Sequence, residues 1–501
     1  MRRRNLVLAL FSVALVACIA DELEGAFDDE DNDDTLSDGK ADSVTASGYR
    51  SGCNAPIRTG SYALHGDVVT PGGVKTNYYV VVTDEKISAV QSTKPTGMSI
   101  VETGGVIFPG LIDGHGHVEY NHIPLADLGK RYGDRDQWPS ASLYKTLVKD
   151  PKNAVTTAGI QCEALRHGEA RALVGGTTAI QGTPAVSCAR SLVRNIESTN
   201  FCQDKIRQNV MDISGFDRSI SGKPSFTQSI KADIAAKRLD AFIVHAGEGI
   251  DAHAKAEWGQ LKDQKLNVPQ LVMIHAAAFD AQQFGEIADA GAKVIWSPLS
   301  NLLLYGKTAD IKSALAAGVL VSLGSDWAPS GSANLLGELK VADRVNQKLW
   351  NGSITDEELV QMVTINPATT FGWEKFVGSI EVGKYADLLV VAKKSGATAY
   401  RSLIDARPQD VKLVTISGDA LFGDASALDT LGKTGDYETI DACGTPKAID
   451  VTVKASDVTN AGEKFADIES KLKAVNAKMT PAIDCTDDEA RKAFVGTPMA
   501  Y

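Results

Sequence analysis

The feature that most constrains the fold of this chain is a long stretch in which short apolar strands alternate with helical segments. Apolar runs of strand length occur at 106–112, 177–181, 207–213, 241–244, 270–274, 293–296 and 319–323. This alternation predicts an α/β fold, a parallel sheet with crossover helices. A closed (β/α)8 TIM-type barrel needs eight strands, so one strand is either hidden between residues 214 and 240 or misassigned. The barrel is predicted over residues 106–373.

Shorter strand patterns lie on both sides of the predicted barrel. They occur at 62–69, 78–83 and 86–90 before it, and at 386–392 and 411–417 after it. Short strands of this kind, bounded by turn residues, are typical of a separate β domain. A small composite β-sandwich domain is therefore predicted from residues 55–105 and 374–436 together.

Residues 437–501 are predicted to form a C-terminal extension. Within it Phe465, Ile468, Leu472 and Val475 are spaced 3, 4 and 3 residues apart. This spacing places the four apolar side chains on one face of a helix. We expect that helix to dock on the body of the protein.

The charge of the chain is concentrated near its N-terminus. The net charge is −12, and residues 19–43 hold eleven acidic residues against a single lysine. Such a segment repels itself and has little apolar surface to bury, so residues 18–50 are predicted to be an acidic disordered tether. The chain lacks the basic surface that phosphate neutralisation requires, and no nucleic acid is expected as a partner.

A targeting segment precedes the tether. Three arginines follow Met1, and the apolar run after them is twelve residues long, which as a helix spans about 18 Å and is too short for a hydrocarbon core of roughly 30 Å. Residues 1–17 are therefore predicted to be a signal peptide. The run ends in Leu-Val-Ala-Cys, which resembles the bacterial lipoprotein signal, so Cys18 is predicted to carry a lipid anchor. Ile19 behind it favours the outer membrane, and simple export would instead give a secreted or periplasmic protein.

Six cysteines remain once Cys18 is assigned to lipid: Cys53, Cys162, Cys188, Cys202, Cys443 and Cys485. Export to an oxidising compartment permits up to three disulfides, and the sequence does not choose among the pairings. Cys443 and Cys485 bracket the predicted C-terminal helix, which makes a disulfide there plausible. No Cys-x-x-Cys occurs, which removes the cysteine-ligated zinc-deaminase signature and most structural zinc motifs.

Histidines and acids stand where the predicted strands end. His115 and His117 follow the first strand, and residues two apart on an extended chain point to the same side, so both imidazoles can face one ion. The same placement recurs with His245 and Glu248, with His275, and with Asp326. Active sites of barrels lie at the carboxyl ends of their strands. One shared metal site therefore explains these residues better than six separate structural roles.

The motifs around these residues run in a fixed order between about residues 62 and 423. They are Pro-Gly-Leu-Ile-Asp-Gly-His-Gly-His at 109–117, Gly-Gly-Thr-Thr at 175–178, His-Ala-Gly-Glu at 245–248, His275, Ser-Pro-Leu-Ser-Asn-Leu-Leu-Leu at 297–304, Leu-Gly-Ser-Asp at 323–326, Asn-Pro-Ala at 366–368, and Gly-Ser-Ile-Glu-Val-Gly-Lys-Tyr-Ala-Asp-Leu at 378–388. With them the sequence resembles the metal-dependent amidohydrolase superfamily. The resemblance is to its mononuclear branch, which contains cytosine, guanine and S-adenosylhomocysteine deaminases and atrazine-type chlorohydrolases.

The resemblance implies a metal centre. It implies that His115, His117, His245 and Asp326 bind one divalent ion, and imidazole and carboxylate ligands suit zinc, which we favour, as well as iron. Such an ion would lower the pKa of a bound water towards neutrality and supply hydroxide.

The resemblance also implies roles in catalysis. Glu248 would pass a proton to the substrate nitrogen or leaving group, and Asp326 would accept the proton of the attacking water. His275 would orient that water or polarise the reacting atom rather than bind the metal. Four further residues border these positions and are weaker candidates for the substrate pocket: Trp296, Ser300, Asn301 and Trp327.

The function expected from these implications is hydrolysis of carbon–nitrogen bonds other than peptide bonds, by attack of metal-bound hydroxide on an sp² carbon of a small molecule. A hydrolase of C–Cl or C–O bonds that uses the same site is one alternative. A surface lipoprotein that only binds a ligand is another, but binding alone does not require both proton-handling acids, Glu248 and Asp326.

Overall fold

The computed structural model describes residues 59–182, 188, 192–198, 201, 204–209, 212–219, 223–452 and 462–485. The predicted signal peptide and tether, with Cys18, Cys53 and Cys202, lie outside the described residues. Within the described residues no helix combines the length and the apolar character needed to cross a membrane.

One mixed sheet is built from both flanks of the chain. Its strands are β1 (Ser61–Thr70), β2 (Gly73–Thr83), β3 (Lys86–Gln91), β4 (Ser99–Pro109), β13 (Leu388–Ala392), β14 (Val411–Ile416), β15 (Asp419–Gly423), β16 (Glu438–Ala442) and β17 (Thr445–Ile449). Among the described residues they are hydrogen-bonded in the order β16-β17-β15-β14-β13-β4-β1-β2-β3. The two flanks meet where β13 pairs antiparallel with β4.

This arrangement corrects one of the predictions. The strands of the predicted β-sandwich belong to one continuous nine-stranded sheet in the described part of the chain, its two halves are joined by the β4–β13 ladder, and side chains from both halves share one core. The predicted extension does not start as an appendage, because β16 and β17 add to the edge of the same sheet. Strand patterns predict strands but not their partners, which are distant in sequence.

Parallel strands occupy the centre of the chain. They are β5 (Leu111–Asp113), β6 (Thr177–Ile180), β7 (Arg194–Asn195), β8 (Lys205–Asn209), β9 (Leu239–Ala246), β10 (Leu271–His275), β11 (Lys293–Trp296) and β12 (Leu320–Leu323). In the described residues they form a three-stranded sheet, β5-β6-β7, and a five-stranded sheet, β12-β11-β10-β9-β8. A parallel bridge between Gly116 and Asp326 joins the two sheets beyond β5 and β12. The architecture is therefore α/β, with strand neighbours that follow chain order.

Helices connect and cover these strands. The α-helices are Ser142–Tyr144, Asp150–Ala158, Gln161–Val174, Phe226–Ala235, Ala252–Asp263, Ala281–Asp289, Pro298–Tyr305, Ile311–Ala317, Leu335–Trp350, Asp356–Gln361, Ile365–Thr370, Ala399–Ile404, Ala425–Thr430 and Phe465–Val475. Short 3₁₀ turns occur at Val118–Tyr120, Trp138–Ser140, Ile213–Gly215 and Pro408–Asp410, and a π-helical turn at Lys145–Lys149. Their buried apolar faces form the main core with the outer sides of the parallel strands.

The first predicted barrel strand, 106–112, is wrong as a single element. Its first part ends β4 in the mixed sheet, and only Leu111–Asp113 joins the parallel strands. The chain changes sheets at Gly110, where an added Cβ would lie 2.4 Å from the Thr178 side chain. The whole run is buried on both sides of this change, so an apolar pattern cannot reveal where one sheet ends and the other begins.

The eighth parallel strand lies outside the interval predicted for it. It is β7, two residues long, and precedes β8, whereas the described part of 214–240 holds the helix Phe226–Ala235. The predicted strand 207–213 is correspondingly shifted to Lys205–Asn209. A two-residue strand of Arg and Asn carries neither the length nor the apolar pattern of a strand.

The C-terminal helix docks on the body as its spacing predicts. Phe465, Ile468 and Leu472 are buried in the main core, and Lys471 pairs with Glu163 of the helix Gln161–Val174 at 2.7 Å. Two disulfides join described residues, Cys162–Cys188 and Cys443–Cys485. The second ties the end of this extension to the mixed sheet, as suggested by the position of its cysteines.

A buried ion pair fastens the parallel strands to the mixed sheet. Arg194 of β7 donates from Nε to Asp387 Oδ2 at 2.7 Å and from Nη2 to the Ser417 hydroxyl at 2.7 Å. Both charged side chains are almost fully buried. Removal of one partner of such a pair leaves an uncompensated buried charge.

We expect Arg194→Met to lower the free energy of unfolding by about 3–5 kcal/mol, because the Asp387 carboxylate loses its partner. The matched control is Lys393→Met, which removes an ion pair with Asp67 whose lysine is half exposed and should cost less than about 1 kcal/mol. Chemical denaturation of both variants measures the difference. Equal losses of unfolding free energy in the two variants would contradict the prediction that the buried ion pair stabilises the protein more than the exposed one.

Candidate metal centre

The His-x-His segment is held close to the opposite strand end. A Cβ added to Gly114 would lie 2.9 Å from the Leu323 carbonyl oxygen, so this approach requires glycine. The Gly114 N–H donates to that same oxygen at 3.0 Å, and the Asp326 N–H donates to the His115 carbonyl at 2.9 Å. These bonds bring the loop after β5 against the loop after β12.

Asp113 ties the same two loops together through its side chain. Its Oδ1 accepts from the backbone N–H groups of His115 and Ser325, and its Oδ2 accepts from the Ser325 hydroxyl at 2.5 Å. Burial raises the pKa of Asp113 to about 6, against the lowering effect of these bonds. The role of Asp113 is therefore to fix the loop geometry.

The predicted metal ligands meet in space. His115 Nε2 lies 3.3 Å and His117 Nε2 3.7 Å from Asp326 Oδ1. The His245 ring lies 4.9 Å from the His115 ring and 6.0 Å from the His117 ring, centroid to centroid. The ligand atoms of His115, His117 and Asp326 all lie within 4.8 Å of one another, and so do those of His115, His245 and His275. The four strand ends therefore converge on one place.

Backbone strain marks the same strand ends. His275, Ala276 and Asp326 have φ values of 74°, 52° and 57°, in the left-handed region that L-residues rarely adopt. Such strained residues persist where the surrounding structure holds them and cluster at functional sites.

Hydrogen bonds orient two of the imidazoles. His115 Nδ1 faces Gln181 Oε1 at 3.0 Å, and Gln181 Nε2 donates to Glu197 and Gln208 at 2.7 and 2.8 Å, which fixes the amide orientation. His275 Nδ1 faces Asn301 Oδ1 at 2.9 Å. Gln181 thus places a proton on His115 Nδ1 and leaves Nε2 facing the site, and Asn301 holds the His275 ring in place.

The donor atoms fit a divalent cation. His115 Nε2 is buried and makes no hydrogen bond, which is costly for a polar atom unless an ion or water occupies the point that it faces. Desolvation lowers the pKa of His245 well below its usual range, with help from the neighbouring imidazoles. Burial would also lower the pKa of His115, but the adjacent Asp326 carboxylate outweighs burial and raises it. Imidazole and carboxylate donors without thiolate suit zinc or iron.

Glu248 lies beside this cluster. Its Oε1 is 3.6 Å from His275 Nε2 and accepts a hydrogen bond from the Tyr305 hydroxyl at 2.6 Å. Trp138 Nε1 donates to the same hydroxyl at 3.1 Å. The Glu248 side chain is 6% exposed, so its carboxylate is held by the protein rather than by bulk water.

An aromatic wall adjoins the open side of the cluster. Trp327 lies 6.2 Å from the His117 ring, 5.3 Å from Trp138 and 5.3 Å from Tyr120, centroid to centroid. The His117 side chain is 28% exposed, against 1% for His115. The cluster is therefore most open to solvent on the His117 side, next to these aromatic rings.

Three of the four weaker pocket candidates have other partners. Trp296 is fully buried, donates to Thr308 Oγ1 at 2.7 Å and packs on Trp350, which contradicts its predicted place in the pocket. Successive side chains of a strand point to opposite faces of the sheet. Ile295 therefore packs against side chains of the other parallel strands, whereas Trp296 packs against the helices. Ser300 is also buried and bonds to Ser330, and Asn301 orients His275.

Sequence reasoning missed Tyr305, Trp138 and Gln181. Gln181 directly follows β6 and could have been found by the strand-end rule that identified the histidines. Tyr305 ends the helix that starts at Pro298, one residue beyond the 297–304 motif. Trp138 lies in a segment without strand or helix pattern, and nothing in the sequence marks it.

A second acidic group lies near the site. Asp134 and Asp136 carboxylates are 3.5 and 3.7 Å from His253 Nδ1, and the three ligand atoms meet within 4.8 Å. Asp136 and His253 are exposed. Exposed acidic groups of this kind are common without a bound ion.

An α/β scaffold that gathers imidazoles and a carboxylate at the ends of parallel strands could hold a metal ion there. The chain belongs to the amidohydrolase family, whose model matches residues 106–421. It is 27% identical over 204 residues to an S-triazine hydrolase of Gordonia rubripertincta, covering 38% of this chain and 43% of the relative. It is 28% identical over 180 residues to a 5-methylthioadenosine/S-adenosylhomocysteine deaminase of Thermoanaerobacter pseudethanolicus, covering 34% and 42%. The chain thus spans less than half the length of these curated relatives.

A solved structure has a similar fold. The atrazine chlorohydrolase of Arthrobacter aurescens complexed with zinc is 16% identical, with a TM-score of 0.59, over 83% of this chain and 99% of that one. At this identity the likeness shows the fold alone.

Proposed function

We propose that this protein is a metal-dependent hydrolase that cleaves carbon–nitrogen bonds other than peptide bonds in small molecules, as a deaminase or amidohydrolase. The observation that carries the proposal is that Glu248 and Asp326, two buried acids on different strand ends, flank one cluster of imidazoles. A site that only binds a ligand does not need both. The deaminase and triazine hydrolase relatives support the same class.

The proposed ligands of a single ion are His115, His117, His245 and Asp326, with zinc favoured and iron the alternative. Such an ion, when bound, acidifies a water molecule and so provides a nucleophile at neutral pH. The zinc-containing structural neighbour supports this choice of metal.

The chain's own groups would carry the protons. Asp326 takes a proton from the attacking water as the C–O bond forms, and Glu248 gives a proton to the substrate nitrogen as the C–N bond breaks and ammonia or an amine leaves; the proton on Asp326 then replaces the one that Glu248 gave up. His275, oriented by Asn301, presents Nε2 to the water or to the reacting atom. Trp327 contributes a wall against which a flat substrate packs.

We further propose that the eight parallel strands close as a (β/α)8 barrel. Their neighbours follow chain order, and the Gly116–Asp326 bridge joins β5 to β12. The similar fold of the amidohydrolase structures supports this arrangement.

The function is tested on the full chain purified in detergent. Metal content is measured first, and the metal found is restored after chelation. A panel of aminated heterocycles and amides is then assayed for ammonia, with chlorinated and alkoxylated analogues assayed for chloride and alcohol. Ammonia release that depends on the metal supports the proposal. Chloride or alcohol release alone would favour the C–Cl or C–O alternative, and tight binding without product would favour a binding protein.

We also propose that the protein is exported and held at the outer membrane by lipid on Cys18. The basic start, the apolar run and the Leu-Val-Ala-Cys sequence support this. Labelling with radioactive palmitate is expected for the native chain and not for Cys18→Ser. If neither protein is labelled, the lipid anchor is excluded and the protein is secreted or periplasmic instead.

A further inference from the structure

Tyr305 is buried against the proposed proton-transfer residue. It ends the helix Pro298–Tyr305, is 2% exposed and bonds through its hydroxyl to Glu248 Oε1 at 2.6 Å. Burial raises the pKa of this phenol well above its usual value, and the Glu248 carboxylate raises it further. The phenol therefore stays neutral and keeps its proton.

The direction of this hydrogen bond is fixed by a third residue. Trp138 Nε1 lies 3.1 Å from the Tyr305 oxygen, and an indole N–H is only a donor. The phenol oxygen accepts from the indole, so its single proton is directed to Glu248. The order of donation is thus Trp138 to Tyr305 to Glu248.

The two oxygens of Glu248 differ as a consequence. Oε1 accepts from Tyr305 and faces His275. Among the described residues, none donates a hydrogen bond to Oε2. A carboxylate with one oxygen bound to a strong hydrogen-bond donor has one defined orientation. Its other oxygen is then available to exchange a proton with the substrate.

We propose that Tyr305 is a positioning residue for the proposed hydrolysis: it holds Oε1 of Glu248 so that Oε2 is the atom that takes and delivers the proton. This inference rests on the proposed function. Trp138, which packs on Trp327 at 5.3 Å and on Tyr144 at 5.2 Å, extends the chain of bonds to the aromatic wall. The segment that carries Trp138 therefore helps to set the orientation of Glu248.

The test is Tyr305→Phe, which removes one oxygen and keeps the ring. We expect kcat to fall about ten- to a hundredfold, as loss of a hydrogen bond to a charged group does, while KM changes by less than about threefold and metal content is unchanged. Trp138→Phe should lower kcat in the same direction by a smaller factor. The matched control is Tyr62→Phe, which removes a buried phenol bond to Gly418 in the mixed sheet and should leave kcat as it is.

A double variant distinguishes an effect of Tyr305 on the orientation of Glu248 from an effect on the stability of the fold. In the Glu248→Gln background, Tyr305→Phe should have no further effect on the residual kcat, because its action passes through the carboxylate. If Tyr305→Phe lowers kcat by the same factor in both backgrounds, Tyr305 supports the fold and the inference is overturned.

A spectroscopic measurement that needs no substrate tests this inference independently of the proposed function. The Raman difference spectrum between the native chain and Tyr305→Phe isolates the tyrosine doublet of this phenol. We expect this doublet to show that the phenol is a strong hydrogen-bond donor in the native chain and a weaker donor in Glu248→Gln. A non-donor signature overturns the inference even if a substrate is found, and a donor signature with no turnover on any compound overturns the proposed function alone.

Discussion

Glu248→Gln is expected to lower kcat by about 10²–10⁴-fold, the range that a lost acid–base group costs. Glutamine has the same shape, and its carbonyl oxygen can still accept the hydrogen bond that Tyr305 donates to Oε1 at 2.6 Å. It cannot exchange a proton near neutral pH. Metal content and thermal stability should therefore stay near those of the native chain while turnover is lost.

The control for this variant is Glu102→Gln, which changes an exposed carboxylate of β4 paired with His65 and should leave kcat unaltered. Rates are measured on whichever compound the native chain turns over, and bound metal is measured in the same samples. Full turnover by a folded, metal-loaded Glu248→Gln protein would remove Glu248 from the proposed chemistry.

His117→Ala is expected to lose most of the bound metal and more than about 10²-fold of the turnover, because the proposed centre loses a direct ligand. The His117 side chain is the more exposed of the two in the His-x-His segment. Its removal should therefore leave the fold intact. Metal per chain, determined by elemental analysis after gel filtration, checks the expectation.

The matched control is His65→Ala, since His65 pairs with Glu102 in the mixed sheet, away from the cluster. It should retain the native metal content. Chelation of the native chain should abolish turnover, and added zinc should restore it. A His117→Ala protein with native metal content would mean that the ion is held by the other group, His115, His245 and His275.

The strand-end pattern predicted most of the cluster. His115, His117, His245, His275 and Asp326 each follow an apolar run, and the structure brings all of them together. The prediction works because parallel strands present their carboxyl ends on one side, so a periodic local signal has a fixed consequence in space. Gln181 also follows a strand end, but an amide is not a usual metal ligand, so its place beside His115 emerges only from the structure.

The sheet partners could not be predicted in the same way. Residues 106–112 are continuously apolar, yet β4 ends at Pro109 in the mixed sheet and β5 begins at Leu111 among the parallel strands. β7 is two polar residues long and has no strand signal. Pairing depends on contacts between residues far apart in the chain, which no window along the sequence contains.

The sequence by itself determined the family, the alternation of strands with helices, and the imidazoles and acids at the strand ends, because these depend on local periodicity and on motifs a few residues long. Only the tertiary structure decided that both flanks form one sheet, that Trp296 faces away from the site, and that Asn301 orients His275. It alone brought Tyr305 to Glu248 and Trp138 to Tyr305, across separations of 57 and 167 residues, since such hydrogen bonds exist only once distant segments have packed.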